Sequence, residues 1–186
     1  ANAGIVPKSF IAPLDVSLPG GIFANAGVNW GACNYGGNHA VFGTPDVNWD
    51  NQRKLPSISD GTANTVMFGE KYAQCSSAGS LWAYRSSDPT PASPAWPAGW
   101  ARMAFMPANW NSVNYNNNAT PKTAVPPQKQ PTVANCNPYT YQGFALSGCQ
   151  VGMCDGSVRN VANSISSTTW YAAIWPDDGI QLGNDW

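Results

Sequence analysis

The chain has 186 residues and a formal net charge of −1, and only 10% of its residues are charged although 43% are hydrophobic. This length suits one domain with its own core, so we expect residues 1–186 to form a single domain. The near-neutral charge excludes nucleic-acid binding through a basic face, because such binding requires clustered Lys and Arg side chains. No stretch approaches the roughly 20 apolar residues of a membrane-spanning helix.

The first segment, residues 1–23, predicts an extended N-terminal arm. Three prolines and a Gly20–Gly21 pair punctuate it. Proline removes hydrogen-bond donors from a strand ladder and glycine favours turns, so irregular chain with short strands is expected here.

Several short strands are predicted further along the first half of the chain. Cys33–Gly43 favours strand broken by glycines. Asp60–Gly61 marks a turn, and the β-favouring run that follows it predicts a strand with Val66 and Phe68 on one face. Gly79–Arg85 predicts another short strand.

Residues 86–131 predict a loop-rich insertion. Pro, Ser, Ala and Trp dominate its first part and Asn its middle, and neither part has helical periodicity. Long loops in compact domains usually carry a function or a modification. Asn118 begins an N-x-S/T triplet in this insertion and is therefore our glycosylation candidate.

The C-terminal part of the chain predicts a β-hairpin. Val151–Cys154 and Ser157–Val161 are two β runs that flank Asp155–Gly156, a pair typical of two-residue hairpin turns. This turn places Met153 opposite Val158, on one apolar face.

A short helix is predicted after the hairpin. Ser166 or Ser167 can cap a helix over Thr168–Trp175, which Pro176 and Gly179 end. Together these elements predict a mainly β fold, at the margin of α+β, with one or two short helices and long irregular loops.

The five cysteines indicate an oxidising compartment, because they are spread singly in a chain poor in charge. Cys149 and Cys154 lie too far apart on one strand to be partners. We therefore predict pairs Cys33–Cys75 and Cys136–Cys149, with Cys154 as the spare thiol.

No catalytic or cofactor motif is recognisable in the sequence. The one histidine, His39, has no nucleophile in a recognisable context, so a structural role is favoured. Asp177–Gly179 has carboxylates for calcium but lacks the alternating spacing of a calcium loop, so we predict no metal and no cofactor. The nine Trp residues suit either a core and subunit contacts or sugar stacking, and we favour the first.

Two groups of motifs resemble a bacterial family of unknown function numbered 1559, whose members are described as pilin-like or prepilin-type. ISDGTANTVMFGE is similar to the family's central motif, and MCDGSVRNVANSIS with TW, PDDG and the terminal GNDW resembles its ending. The resemblance covers nearly the whole chain and implies a pilin-like β-rich domain. It marks Asp60, Gly61, Asp155 and Gly156 as family-motif turn residues.

The chain departs from the family pattern at three places. The family's H-x9-DG signature would place a histidine ten residues before Asp155, where this chain has Ala145. Ala12 stands where relatives often carry the cysteine of a C-P-S-D motif. Family members usually begin with a prepilin peptide and a long apolar helix, and the sequence from Ala1 starts downstream of both.

The resemblance and the composition together predict a non-catalytic structural protein outside the cell or at its surface. We expect it to be the repeating subunit of a filament or surface assembly, with copies of itself as partners and covalent glycans on its loops. The N-terminal arm is a candidate strand for donation to the open sheet edge of a neighbour. The alternative is a secreted module that binds glycans or small solutes.

Overall fold

The structure is a computed structural model that describes residues 4–25, 28–42, 53–82, 100–102, 104–105, 124–138 and 140–186. Strands predominate in these residues, and the two α-helices, α1 (His39–Phe42) and α2 (Ser167–Ile174), are short. The predicted mainly β fold is therefore confirmed. The strands are β1 (Ile22–Asn25), β2 (Val28–Gly31), β3 (Tyr35–Asn38), β4 (Val66–Glu70), β5 (Gln74–Cys75), β6 (Ala78–Leu81), β7 (Trp100–Arg102), β8 (Ala104–Phe105), β9 (Gln128–Lys129), β10 (Gln142–Gly143), β11 (Cys149–Met153) and β12 (Val158–Val161).

A five-stranded sheet in the order β12-β11-β4-β3-β8 forms the centre of the fold. Its pairs are antiparallel except β3 with β8. Helix α2 packs on one face, which we call the inner face, and its Trp170 and Ile174 are fully buried there with Val151 and Met153. Burial of these large side chains is the main stabilising contribution to the domain.

A glycine lets a loop residue reach the inner face. The ring of Tyr141 lies on Gly69, where a Cβ atom would come within 2.8 Å of it. The Tyr141 hydroxyl donates to the Gly36 carbonyl at 3.1 Å, and the ring meets Trp170 edge-on, with centroids 5.9 Å apart. Glycine at position 69 therefore determines how closely the inner layer packs.

The prediction that Val66 and Phe68 share a face of β4 is wrong. Met153 pairs with Val66 while the adjacent Gly152 pairs with Phe68, so the register shifts by one residue in β4. Such a bulge reverses the alternation of side chains beyond it. Val66 is consequently fully buried in the inner core, whereas Phe68 is 38% exposed on the other face.

The predicted C-terminal hairpin is present, but its turn is one residue longer than predicted. Met153 N donates to the Ser157 carbonyl at 2.8 Å and Gly156 N to the Met153 carbonyl at 3.0 Å, which leaves a three-residue loop, Cys154–Gly156. Gly156 has φ +86°, as such loops require. Val158 therefore pairs with Gly152 instead of facing Met153, and the two side chains lie on opposite faces.

The predicted helix is confirmed to within one residue as α2. Ser166 is its cap, since the Ser166 Oγ accepts from Thr169 N at 3.2 Å. The helix ends at Ile174, before Pro176.

The described part of the N-terminal arm is hydrogen-bonded to the rest of the same chain. Its residues form 3-10 turns at Lys8–Phe10 and Pro19–Gly21 and continue into β1. Asn34 N donates to the Phe10 carbonyl at 2.7 Å, and Ala12 N to Asn34 Oδ1 at 2.8 Å. Several hydrogen bonds would have to break before this arm could move to a neighbouring molecule.

Three smaller sheets surround the central one. They contain β1-β2, β9-β10 and β5-β6-β7. Strands β7 and β8 belong to the predicted insertion 86–131 and join β6 and β3 in parallel. The rest of the insertion before residue 124, including Asn118, lies outside the described residues.

Candidate functional site

The two Asp-Gly turns of the family motifs lie side by side at one end of the central sheet. Asp155 N donates to the Thr62 carbonyl at 3.1 Å, and Cys154 N donates to the Thr65 carbonyl at 2.9 Å. The hairpin loop 154–156 is thus hydrogen-bonded to the turn that starts at Asp60 and Gly61. Gly61 has φ +99°, so this turn also requires glycine.

A third turn, residues 176–179, is held at the same place by the Asp60 carboxylate. Its two oxygens accept from Asp178 N at 2.9 Å and Gly179 N at 3.0 Å. Asp177 in this turn forms a salt bridge with Arg53 at 2.9 Å. The Asp60 side chain is therefore occupied in joining segments 118 residues apart.

The carboxylates of Asp155 and Asp185 are also occupied by local hydrogen bonds. Asp155 Oδ1 accepts from the Ser157 amide at 2.9 Å and hydroxyl at 2.7 Å, and these bonds lower the pKa of Asp155. Asp185 accepts from the Thr169 hydroxyl and the Ser166 amide, which lowers its pKa to about 2. These groups act as structural anchors of the turns and of the start of α2.

Metal binding by the turn 176–179 gains no support from its geometry. Within the described ranges, no three His, Cys, Asp or Glu side chains come close enough together to hold a metal ion. His39 begins α1, and its side chain lies outside the described part of the chain.

The cysteine pairing differs from the prediction. Cys75 is joined to Cys136, with Cα atoms 5.2 Å apart, whereas Cys33 and Cys149 are free thiols along with Cys154. The pairs Cys33–Cys75 and Cys136–Cys149 are thus wrong, because Cys149 lies inside the central sheet, while β5 and the turn before Cys136 meet outside it. The expectation that the chain contains a disulfide is confirmed.

The three free thiols are poor nucleophiles. All are buried, and burial raises the pKa of Cys33 and Cys149 above the usual 9.0 and that of Cys154 to about 11. Because the thiolate is the reactive form, these cysteines suit packing better than chemistry.

Lys71 is a buried cation that the sequence did not reveal. Its side chain is 1% exposed, and its Nζ donates to the carbonyls of Pro138 at 2.6 Å and Thr140 at 3.2 Å. Burial lowers the pKa of Lys71 to about 7. The only sequence signal was its position at the end of a β-favouring run, where a lysine normally reaches solvent.

Two shallow grooves lie near the C-terminal segment. One, of about 290 Å³, runs beside strand β12 and the other, of about 310 Å³, lies beside Asp60. In the first groove the Arg159 guanidinium lies over the Trp186 ring, 5.4 Å from its centroid. Lining residues of the first groove are Arg159, Asn160, Val161, Ala162, Ile165, Asp185 and Trp186.

Among the exposed apolar side chains of the described residues, we distinguish two groups. On the arm, Leu14 is 67% and Val16 is 82% exposed; we call these two residues the arm patch. On the outer face of the central sheet, Phe68, Gly152 and Val158 are paired across three adjacent strands, so they project to the same side. Val158 is 71% exposed and a Cβ at Gly152 would meet no atom within 4 Å, so this sheet patch is open.

These features define a β-rich, disulfide-containing domain whose acidic motif residues tie distant turns together. The family model described as "Protein of unknown function (DUF1559)" matches residues 19–168, and the chain therefore belongs to this family. No curated protein and no solved structure matches the chain. Neither helix of the described residues has the length and apolarity needed to cross a bilayer.

Proposed function

We propose that the chain is an extracellular, non-catalytic structural protein that serves as the repeating subunit of a filament or surface assembly. The observation that carries this proposal is the presence of two separate apolar patches on a surface poor in charge. When one patch of a molecule contacts a different patch of the next, the contact does not close and the assembly propagates. Low surface charge offers little electrostatic resistance to such contacts.

The arm patch is suited to this role because its side chains are presented in a fixed position. Asp15, between Leu14 and Val16, accepts hydrogen bonds from Asn34 Nδ2 at 2.6 Å and Ala73 N at 3.0 Å. These bonds hold the arm on its own domain while the two flanking side chains point outward. The contact that we propose therefore uses the exposed side chains of the arm and leaves its main chain in place.

Two further observations support an extracellular, non-catalytic role. The Cys75–Cys136 bond belongs to the kind of crosslink that persists in oxidising compartments. The carboxylates of Asp60, Asp155 and Asp185 all accept hydrogen bonds from their own chain, which suits structural anchoring. Covalent glycans on the insertion, with Asn118 as the candidate, remain part of the proposal, and an intact mass equal to the bare 19.7 kDa chain would contradict them.

Electron microscopy and light scattering of the purified chain test the assembly. We expect ordered polymers from the wild type, and we expect the double variant Leu14→Lys/Val16→Lys to lose them because a charged pair replaces the apolar patch. Leu55→Lys/Leu146→Lys is the matched control, since it adds the same two charges at side chains that are 56% and 69% exposed but belong to neither patch. Wild-type protein that stays monomeric, or polymers unchanged in the double variant, would contradict the proposal.

The alternative is a module that binds glycans or small solutes in the groove beside β12. An indole ring, an amide and two charged groups meet there, which is a combination suited to polar solutes. However, Arg159 already covers one face of the Trp186 ring. Calorimetry against a glycan panel, with Trp186→Ala as the comparison, tests this alternative: binding that the substitution abolishes would favour it over the structural role.

A further inference from the structure

Strand β12 is an edge of the central sheet with an open hydrogen-bonding side. Met153 N bonds to the Ser157 carbonyl, and bonded pairs in an antiparallel ladder recur at every second residue. Arg159 and Val161 therefore bond to β11, while the main-chain groups of Val158 and Asn160 face away from it. In the described ranges, no other segment bonds to these outward groups.

Strand β12 has few of the features by which edge strands usually avoid pairing. Natural edges are protected by proline, lysine, bulges, a covering segment, short length or an inward-pointing charge. β12, with the sequence VRNV, is four residues long and has no proline or lysine. Its one charged side chain, Arg159, lies on the inner face over the Trp186 ring of the same chain, so the main-chain edge itself is left open to a second strand.

The groove beside this edge contains polar groups that could interact with the side chains of a second strand. Asp185 contributes a carboxylate to the groove, and the buried Trp186 Nε1 has no hydrogen-bond partner among the described residues. Asp185 already accepts from Ser166 and Thr169, but its negative charge would still attract a cation that enters the groove from outside. β12 itself carries such a cation, at Arg159.

We propose that two copies of the chain pair through their β12 strands, antiparallel about a two-fold axis, to form one continuous ten-stranded sheet. The occupant of each edge is the β12 strand of a second copy. Symmetric pairing requires only one surface, and two-fold dimers are the commonest oligomers. The added strand obtains its main-chain hydrogen bonds as in other cases of strand addition.

Hydrogen bonding and charge select the register of this pair. Only residues whose main-chain groups point outward can form hydrogen bonds across the axis. Val158 and Asn160 must therefore lie opposite residues of the second copy whose main-chain groups also point outward. A pair centred on Arg159 would place two guanidinium groups directly opposite each other, which is destabilising. A pair centred on Val158 would place Arg159 opposite Ser157, which does not line the groove. A pair centred on Asn160 places Arg159 opposite Val161 of the second copy, on the inner side.

The register centred on Asn160 also brings opposite charges together. Directly opposed residues share a face, so Arg159 of each copy, which stays over its own Trp186, lies beside Val161 at the edge of the other copy's groove, which Asp185 of that copy lines. The positive charge of Arg159 in each copy therefore lies on the same side as the negative charge of Asp185 in the other copy. This closed contact is distinct from the open contact of the arm patch and does not rest on it.

Sedimentation velocity tests the pairing with a substitution that removes one outward donor. In the Leu14→Lys/Val16→Lys background, in which the arm contact of the polymer is removed, we expect the chain at micromolar concentration to show twice the chain mass. Adding Val158→Pro should make it monomeric, because proline lacks the outward N–H and its ring obstructs the edge. Proline is tolerated at such an outward position, so the melting temperature should change little. Val158→Thr keeps the N–H and the branched side chain, and should remain paired.

Cysteine crosslinking tests the register. The free cysteines of the described residues are all buried, so an introduced thiol at the edge is the reactive one. Under mild oxidation we expect Asn160→Cys to form a reducible dimer in high yield and Val158→Cys, which keeps Arg159, to form little. Crosslinking of Val158→Cys alone, pairing that survives Val158→Pro, or a monomeric Leu14→Lys/Val16→Lys parent would each overturn the proposal.

The proposed strand pairing and the proposed filament can be contradicted by separate results. A crosslinked dimer that never grows into polymers would contradict the proposed function and leave the strand pairing intact. Polymers whose subunits do not crosslink at Asn160 would contradict the pairing and leave the proposed function intact. Because Asn160→Cys removes side-chain bonds to Gln150 and Ser147, its folding is checked by melting temperature, and the proline and threonine variants at Val158 do not depend on it.

Discussion

Lys71 couples the stability of the domain to pH. Burial lowers its pKa from 10.5 to about 7. Between these values the unfolded chain binds a proton that the folded chain has released, so the free energy of unfolding rises with pH, by up to about 1.4 kcal/mol per pH unit. Burial raises the pKa of the three free thiols above 9.0, so their ionisation in the unfolded chain lowers stability above that pH.

We therefore expect a stability maximum near pH 9, measured by urea unfolding across pH 6.5 to 10 at about half-unit steps. In Lys71→Met the free energy of unfolding should no longer rise between pH 7 and 9, although this substitution also leaves two carbonyls without a donor. Lys54→Met, at an exposed lysine, should keep the wild-type profile. If the free energy of unfolding still rises over this range in Lys71→Met, another group causes the pH dependence.

At the level of single residues, local chemistry was predictable and long-range partners were not. Asp60 and Asp155 could be assigned to turns because each precedes a glycine, and both occupy turns. That Asp60 would bind the amides of Asp178 and Gly179 has no local signal, because Asp60 and Asp178 are 118 positions apart in the sequence. The burial of Lys71 was equally hidden, since a lysine at a strand end normally lies in solvent.

Two glycines in neighbouring strands of the central sheet should respond oppositely to alanine. In Gly69→Ala the new Cβ would lie 2.8 Å from the Tyr141 ring, so we expect a loss of about 1–3 kcal/mol in the free energy of unfolding. In Gly152→Ala the Cβ meets nothing within 4 Å, so stability should hold or rise by up to about 1 kcal/mol. Equal losses in the two variants would contradict the close packing of Tyr141.

Among the elements, those with strong local signals were predictable. Helix α2 followed from its serine cap and Pro176, and the hairpin β11–β12 followed from the Asp-Gly pair. The bulge in β4 and the third loop residue at Cys154 were missed, because both depend on the pairing of β11 with its neighbours. Each shifts the register by one residue, which exchanges the buried and exposed faces.

At the level of the whole molecule, the Cys75–Cys136 bond should contribute substantially to stability. It closes a span of 61 residues, for which the loss of unfolded-chain entropy corresponds to about 4 kcal/mol. We expect Cys75→Ala/Cys136→Ala to lower the free energy of unfolding by up to about that amount. Denaturant unfolding measures it, and a reductant should destabilise the wild type but not the variant. A wild type insensitive to reductant would contradict the crosslink.

The fold class of the whole molecule was predictable, and the order of its strands was not. Short β runs separated by glycine and proline indicated a mainly β domain, since such runs cannot form long helices. The sheet order β12-β11-β4-β3-β8 joins strands from both halves of the chain. Only contacts distant in sequence select that order.

The pairing of strands from both halves of the chain affects how the domain folds. Asn38 Nδ2 donates to the Ile174 carbonyl, 136 residues away, so strand β3 completes its hydrogen bonds only when the end of the chain is present. Domains dominated by such contacts fold slowly, in milliseconds to seconds. Until β11 is available, strand β4 therefore lacks one of its two neighbours, and we expect an incomplete chain to aggregate more readily than the complete one.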